Sequence, residues 1–286
     1  MESTIRKAVN GGAGSLSKEA IRERVAGMMN VSTIPVVLSR IIELTGNPNT
    51  VNHELAKVIE RDQAIAMRVV AASNSSFYGY SKKINTISQA ILVLGFDMVR
   101  GLAITTSVFS SVPVKYRDSL KELWSHSFTA AQAAALLAKK TGTVEQDGAF
   151  LAGLFHDIGR AIMLQICEEG CAELNPFERN PIDKEEKAFG ATHAEIGSLL
   201  AERFKLPESC VMAIRHHHDP ENCPAEGAPL AAITYLANLI ASEGPNSVAS
   251  PSHVSVVSSL NLSQSALDEV ASEIDKIKSS SDAYYE

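Results

Sequence analysis

The sequence predicts an all-α fold, and three observations carry that expectation. Apolar residues recur at spacings of three and four: Ile21, Val25 and Met28, then Val37, Leu38, Ile41 and Ile42, the period of one buried helix face. No run alternates apolar and polar residues for long with a period of two, so neither strands nor a β-hairpin are expected. Pro, Gly and Asn stand between the apolar segments, where they end one helix and start the next.

Taken in order, Met1 to Ser17 is rich in Gly and Ser and reads as a flexible N-terminus. Residues 18–112 read as a first helical half. Ser32-Thr33 supply capping hydroxyls there, and Pro35 stands at a first helical position. Asn47-Pro48-Asn49 breaks the chain, Val51 to Arg61 is a helix, and Asp62 caps the next one, Gln63 to Ala72. Asn74 to Gly79 is a turn, and the rings of Phe77, Tyr78 and Tyr80 read as anchors into the core. Ile84 to Leu94 is a short helix closed by Gly95, and Phe96 to Phe109 is an apolar one. Pro113 marks a joint, with a soft boundary near residues 111 to 117.

Residues 113–278 form the second half. It opens with a long helix, Tyr116 to Lys140, whose Ala130 to Ala138 stretch permits close helix approach; Thr141-Gly142 ends it. Gln146 to Cys167 is expected as a helix, Gly170 to Pro181 as a loop or short helix, and Glu185 to Phe204 as a helix again. Pro207 to His218 follows, then a loop from Asp219 to Pro224, a buried helix from Ala228 to Ser242 and an amphipathic one from Ser263 to Lys278. Residues 279–286 read as a flexible tail. No repeat of fixed period is present.

The 286 residues are 45% apolar, enough for a sizeable core, and carry a net charge of -7 with a pI near 5.7. That balance lacks the clustered Lys and Arg of a nucleic-acid or anionic-membrane surface. No stretch reaches the roughly 18 uncharged apolar residues of a membrane span, and the N-terminus lacks the apolar core of a signal peptide. A cytoplasmic protein with neither a nucleic-acid nor a membrane partner is expected. Cys167, Cys171, Cys210 and Cys223 form no C-x-x-C pair and read as reduced thiols.

The chemistry concentrates in the second half. Six of the 8 histidines lie between residues 126 and 218. His156-Asp157 closes an apolar run, and an adjacent imidazole and carboxylate suit Fe, Mn, Zn or Ni. The carboxylate can also bridge two ions. Glu122 and His126 share one helix face. His156 and Asp157 point about 100 degrees apart on a helix, so an ion fits between them where the helix begins or kinks. His193 follows, then His216-His217-His218. Separate helices that each bring one or two ligands are how a helical bundle builds a metal core. Each histidine taken alone is more simply a hydrogen-bonded core residue or, for the triplet, a cation at a helix C-terminus.

Together these residues resemble the HD superfamily of metal-dependent phosphohydrolases, whose signature is H…HD…D. The nearer subgroup, with the HD-GYP cyclic di-GMP phosphodiesterases, is matched by Glu122-x-x-x-His126, His156-Asp157-Ile-Gly-Arg160, His193, and His217-His218-Asp219. The first half narrows the likeness. Thr33-Ile-Pro35, Ile59-Glu-Arg-Asp62, Val69 to Gly79, Ile87 to Ile91 and Leu94-Gly95 look like the HDOD domain, a hydrolase-related output module. The resemblance implies an all-helical bacterial module of signalling or regulation. Three departures matter: the G-Y-P motif is absent, Arg160 replaces a Lys, and Asn238 replaces the final Asp. Hydrolysis of cyclic di-GMP is therefore not expected.

The resemblance implies one or two transition-metal ions, Fe or Mn first, with Zn or Ni as alternatives. One ion would take His126, His156, Asp157 and, as a further donor, Asn238. A second would share Asp157 and take His193 with His217 or His218. Glu122 would ligate or orient His126. Two functions follow. The preferred one is a non-catalytic sensor or scaffold that meets a signalling protein. The other is a phosphohydrolase in which Asp157 holds the ions and Arg160 the phosphate of a small-molecule ligand. A third reading makes the histidines packing residues only.

Overall fold

In the computed structural model, residues 35–75, 83–166, 182–244 and 253–281 are described, with 23, 27, 78, 247, 248 and 250. The flexible N-terminus, the Ile21–Met28 helix face, Thr33, Phe77, Tyr80, Cys167, Cys171, the segment from Gly170 to Pro181 and the tail beyond Ser281 lie outside them. No strand occurs among the described residues, and the fold is all-α.

The first half follows its local signals. Helix α1 (Val36–Thr45) begins directly behind Pro35, which takes the cap position rather than the first helical one. Helix α2 (Asn52–Ile59) leads to α3 (Gln63–Ser73), where Asp62 accepts the Ile65 N–H at 3.0 Å. That bond satisfies one of the amide groups a helix start leaves open. The two helices expected from Ile84 to Phe109 run on as α4 (Ile87–Ser110), kinked at Gly95. The kink needs φ 77°, which glycine adopts without a Cβ penalty.

The second half opens with α5 (Arg117–Thr141), which Gly142 closes in the left-handed conformation. The helix expected from Gln146 to Cys167 is broken in two. Helix α6 (Gln146–Phe155) and α7 (Ile158–Ile166) are separated by a turn at His156-Asp157. The helix expected from Glu185 to Phe204 is also two: α8 (Ile182–Phe189) and α9 (His193–Arg203). Gly190 at φ 70° ends the first, and a capping box of Thr192 and Glu195 starts the second. Helices α10 (Glu208–His216), α11 (Ala228–Glu243), α12 (Val254–Ser259) and α13 (Gln264–Ser281) complete the order.

Helix α5 packs on α6, α11 and α13, while α10 packs on α6 and α11, and α9 on both α7 and α10. The approach of α5 to α6 depends on small residues: a Cβ on Gly153 would stand 2.6 Å from the Ala131 Cα. Helix α4 lies against α1, α2 and α3 and also against α6 and α7, so one buried core runs from Leu38 to Ile274. Polar contacts tie the halves further. The Arg68 guanidinium of α3 lies 3.6 Å from the centre of the Trp124 ring of α5. Ser75 accepts a buried hydrogen bond from Gln132. The Asn74 amide pairs with both the N–H and the carbonyl of Ile84, at 2.8 Å each, which fixes the entry to α4.

Two segments, Ile87–Ser110 and Gln146–Ile166, are long and apolar enough to cross a membrane by composition. Both serve as core: 56% and 89% of their most apolar stretches are buried within the protein. The Gly95 kink and the His156-Asp157 turn also interrupt them.

Candidate metal centre

Three helices and one turn bring the histidines together. His126 comes from the middle of α5, and His156 and Asp157 from the α6–α7 turn. His193 is the first residue of α9, and His217 and His218 follow the end of α10. The turn lets the neighbours His156 and Asp157 face one point. Gly159 sets the depth of α9: a Cβ there would lie 2.0 Å from the His193 carbonyl oxygen and 2.9 Å from the Gly197 nitrogen. Helices α7 and α9 therefore touch backbone to backbone, which carries His193 to the Asp157 carboxylate.

Asp157 divides the cluster in two. Its Oδ2 lies 3.5 Å from both His126 Nε2 and His156 Nε2, which are 3.0 Å apart. Its Oδ1 lies 3.1 Å from His193 Nε2 and 3.7 Å from His217 Nε2. His193 Nε2 in turn is 3.3 Å from His217 Nε2 and 2.9 Å from His218 Nε2. Donor atoms around an ion at about 2.1 Å stand roughly 3.0–3.4 Å apart, so these edges match a coordination polyhedron.

The outer ring nitrogens fix the tautomers. His156 Nδ1 donates to the Gly153 carbonyl and His217 Nδ1 to the Ile214 carbonyl, each at 2.7 Å. His193 Nδ1 donates to the Glu185 carboxylate at 2.7 and 2.9 Å. With the proton on Nδ1, the Nε2 lone pairs point inward. Lone pairs at these separations repel unless a cation lies between them. Asp157 Oδ1 is buried, with His193 Nε2 at 3.1 Å and His217 Nε2 at 3.7 Å. An inward-facing donor set around such an oxygen fits a divalent transition metal.

For four of the five histidines, electrostatics agree with neutral ligands around an ionised carboxylate. Burial pushes His126 down to about 4 and His218 to about 3. Burial also lowers His156, and lowers His217 further with help from its neighbour His218. For Asp157, burial opposes ionisation, but Arg160, His156 and His193 outweigh it and hold the carboxyl well below its usual range. His193 moves the other way: burial would lower it, yet Asp157 and Glu185 raise it. Arg160 is drawn inward, with Nε 3.1 Å from Asp157 Oδ1.

One candidate lies apart from the others. Glu122 is exposed one turn before His126 and stands outside both ligand groups. The helix leaves the core between them, so the shared face does not deliver both side chains. Asn238 stands beside His126 and hydrogen-bonds its side chain, and its Oδ1 accepts from Ser242 at 3.2 Å.

Glu185 was not anticipated. It is buried on α8 and holds both the backbone N–H and the Nδ1 of His193. A signal was present: Ile182 and Phe189 are seven apart, and Glu185 sits at the third position between them, on the same helix face. A carboxylate on an apolar face needs a buried partner.

Helices converging on a His-Asp pair, with further histidines from flanking helices, define an HD-type domain. A family model for the HDOD domain matches residues 31–220, and the chain belongs to that family. An uncharacterised protein of Treponema pallidum is 28% identical over 217 residues, 73% of this chain. A ribonuclease Y of Thermus thermophilus is 35% identical over 107 residues, 37% of this chain. The chain spans only 42% and 14% of these two relatives. A solved structure from Marinobacter aquaeolei, named as a candidate signal transduction protein, is 25% identical with a TM-score of 0.66, over 88% of this chain and 59% of that one.

Proposed function

We propose that the chain is a metal-binding signalling or regulatory output domain, acting in the cytoplasm, whose metal centre serves as sensor or scaffold. The observation that carries this reading is that the centre is closed around Asp157, with His126 and His218 half-buried at its edge. His156, Asp157, His193 and His217 are all buried, and Arg160 rests on Asp157. The other buried carboxylate among the described residues, Glu185, is committed to His193, so it is not placed to take a proton from a nucleophile. Fe or Mn suits the histidine-rich set with one bridging carboxylate, with Zn or Ni as alternatives. Ions there would cross-link α5, the α6–α7 turn, α9 and α10, and so couple metal to the shape that a signalling protein partner meets. The solved neighbour named for signal transduction supports the same direction.

A second reading rests on one feature. The two oxygens of Asp157 face separate histidine groups, the layout of a two-ion phosphoryl-transfer site. A bound ion would supply Lewis acidity toward a phosphoryl oxygen. Asp157 would then bridge, and Arg160 would turn from it to the phosphate of a small-molecule ligand. Likeness to a ribonuclease adds phosphodiesters to the substrates worth testing.

One experiment separates the readings. Protein isolated without chelator is assayed for metal and for turnover of a phosphodiester panel, beside His156→Ala and Asp157→Ala. Stoichiometric metal, lost in Asp157→Ala, with no turnover supports the sensor reading. Sustained turnover lost in His156→Ala overturns it in favour of the hydrolase. No metal in any sample removes both.

A further inference from the structure

The two halves of the centre are not equivalent. On the Oδ1 side, His193, His217 and His218 join Asp157, giving four donors. That side has its own carboxylate behind it, since Glu185 grips His193 through Nδ1 and the backbone N–H. A carboxylate on the outer nitrogen makes the inner nitrogen a stronger donor and fixes the ring. On the Oδ2 side, among the described histidines and carboxylates, His126 and His156 join Asp157, giving three such donors. There His156 leans on a neutral carbonyl, and the side chain beside His126 is the neutral amide of Asn238. The His126 side chain is also 21% exposed, whereas His193 and His217 are 0% exposed. Arg160 acts against a cation at Oδ1, but Glu185 lies near enough to feel and offset its charge.

We infer that the centre binds two ions with unequal affinity: a tight, structural ion on the His193–His217–His218 side, and a weaker, exchangeable ion on the His126–His156 side. The neutral Asn238 is what keeps the second position weak. The inference rests on the metal-binding reading of the previous subsection. It makes the weak position the one that would respond to metal supply, while the tight position keeps the bundle assembled.

The test is a titration of the chelator-stripped protein with Mn2+ and Co2+, read by equilibrium dialysis and, for Co2+, by visible absorbance. The wild type is expected to fill in two phases, separated at least about tenfold in affinity. His126→Ala should delete the weak phase and leave the tight one. His218→Ala should damage the tight phase. Thermal midpoints of the loaded and stripped variants check that each has folded. Asn238→Asp adds a carboxylate beside His126 and should tighten the second phase about 10–100-fold without moving the first. Two phases of equal affinity, or a tight phase that disappears in His126→Ala, would overturn the inference while leaving metal binding intact. Tightening of the first phase by Asn238→Asp would also overturn it. Absence of binding in the wild type would instead sink the metal reading itself, and this inference with it.

Discussion

An ionised carboxylate in a protein interior costs several kcal/mol unless charge and hydrogen bonds surround it. Asp157 is only 3% exposed, and its compensation comes from Arg160 and His193, with an ion expected between it and the rings. Glu185 is the second such carboxylate, and its role is narrower. It keeps the proton of His193 on Nδ1, so the inward Nε2 stays a donor. Glu185→Gln keeps the shape but removes the charge and presents His193 with an amide. It should lower affinity for the first ion about 10–100-fold, measured by competition with a chromogenic chelator. An unchanged affinity would make Glu185 a packing residue. The histidines and Asp157 could be picked from the sequence because adjacent His-Asp and a His pair are unusual local patterns. Glu185 could not be picked with equal ease, because its partner is eight residues away across a helix break.

Between elements, the decisive contact is α7 against α9. Gly159 follows Asp157 by two residues and gives α9 room to place His193 at the carboxylate. In Gly159→Ala the new Cβ would meet backbone, which cannot rotate away. The expected cost is at or above the upper end of the ~1–3 kcal/mol typical of overpacking, with loss of the tight ion. Thermal melting and metal content of the purified variant would check it; native stability with full metal would show that α7 and α9 separate freely. The α6–α7 and α8–α9 breaks were the two places where helix periodicity misled. Apolar spacing runs on through His156-Asp157 because both helices are buried. At α8–α9 the turn signals Gly190 and Thr192-x-x-Glu195 were present in the sequence, but the flanking apolar pattern hid them.

For the whole molecule, α4 joins the first half to the helices that carry the centre, so metal and global stability should be linked. Stripped protein should gain thermal stability when Mn2+ is added, by about 2.7 kcal/mol at a hundredfold excess over the dissociation constant. Asp157→Ala should show no such gain, and equal gains in both proteins would place the metal elsewhere. Acid should act on the stripped protein in a defined direction. His126, His156, His217 and His218 have folded values below the ordinary 6.5, so the unfolded chain binds more protons as pH falls. Their contribution to stability therefore drops below about pH 6.5. His193, raised in the fold, works the opposite way: its contribution is present below 6.5 and lost as pH rises through its folded value. Four groups outweigh one, so the urea midpoint of stripped protein should rise between about pH 5 and pH 7. A midpoint that falls over that range would mean the histidines are protonated in the fold.

The sequence alone determined the all-helical class, which is written in local periods, caps and breakers, and the family, which is carried by its motifs. Tertiary packing decided the rest: the division of Asp157 between two histidine groups, the capture of His193 by Glu185, the seat of Asn238 beside His126, and the exposure of Glu122. Those outcomes depend on how far α5, α9, α10 and α11 approach one another across many intervening residues. That distance is set by which small side chains, Gly153 and Gly159 among them, let backbones touch.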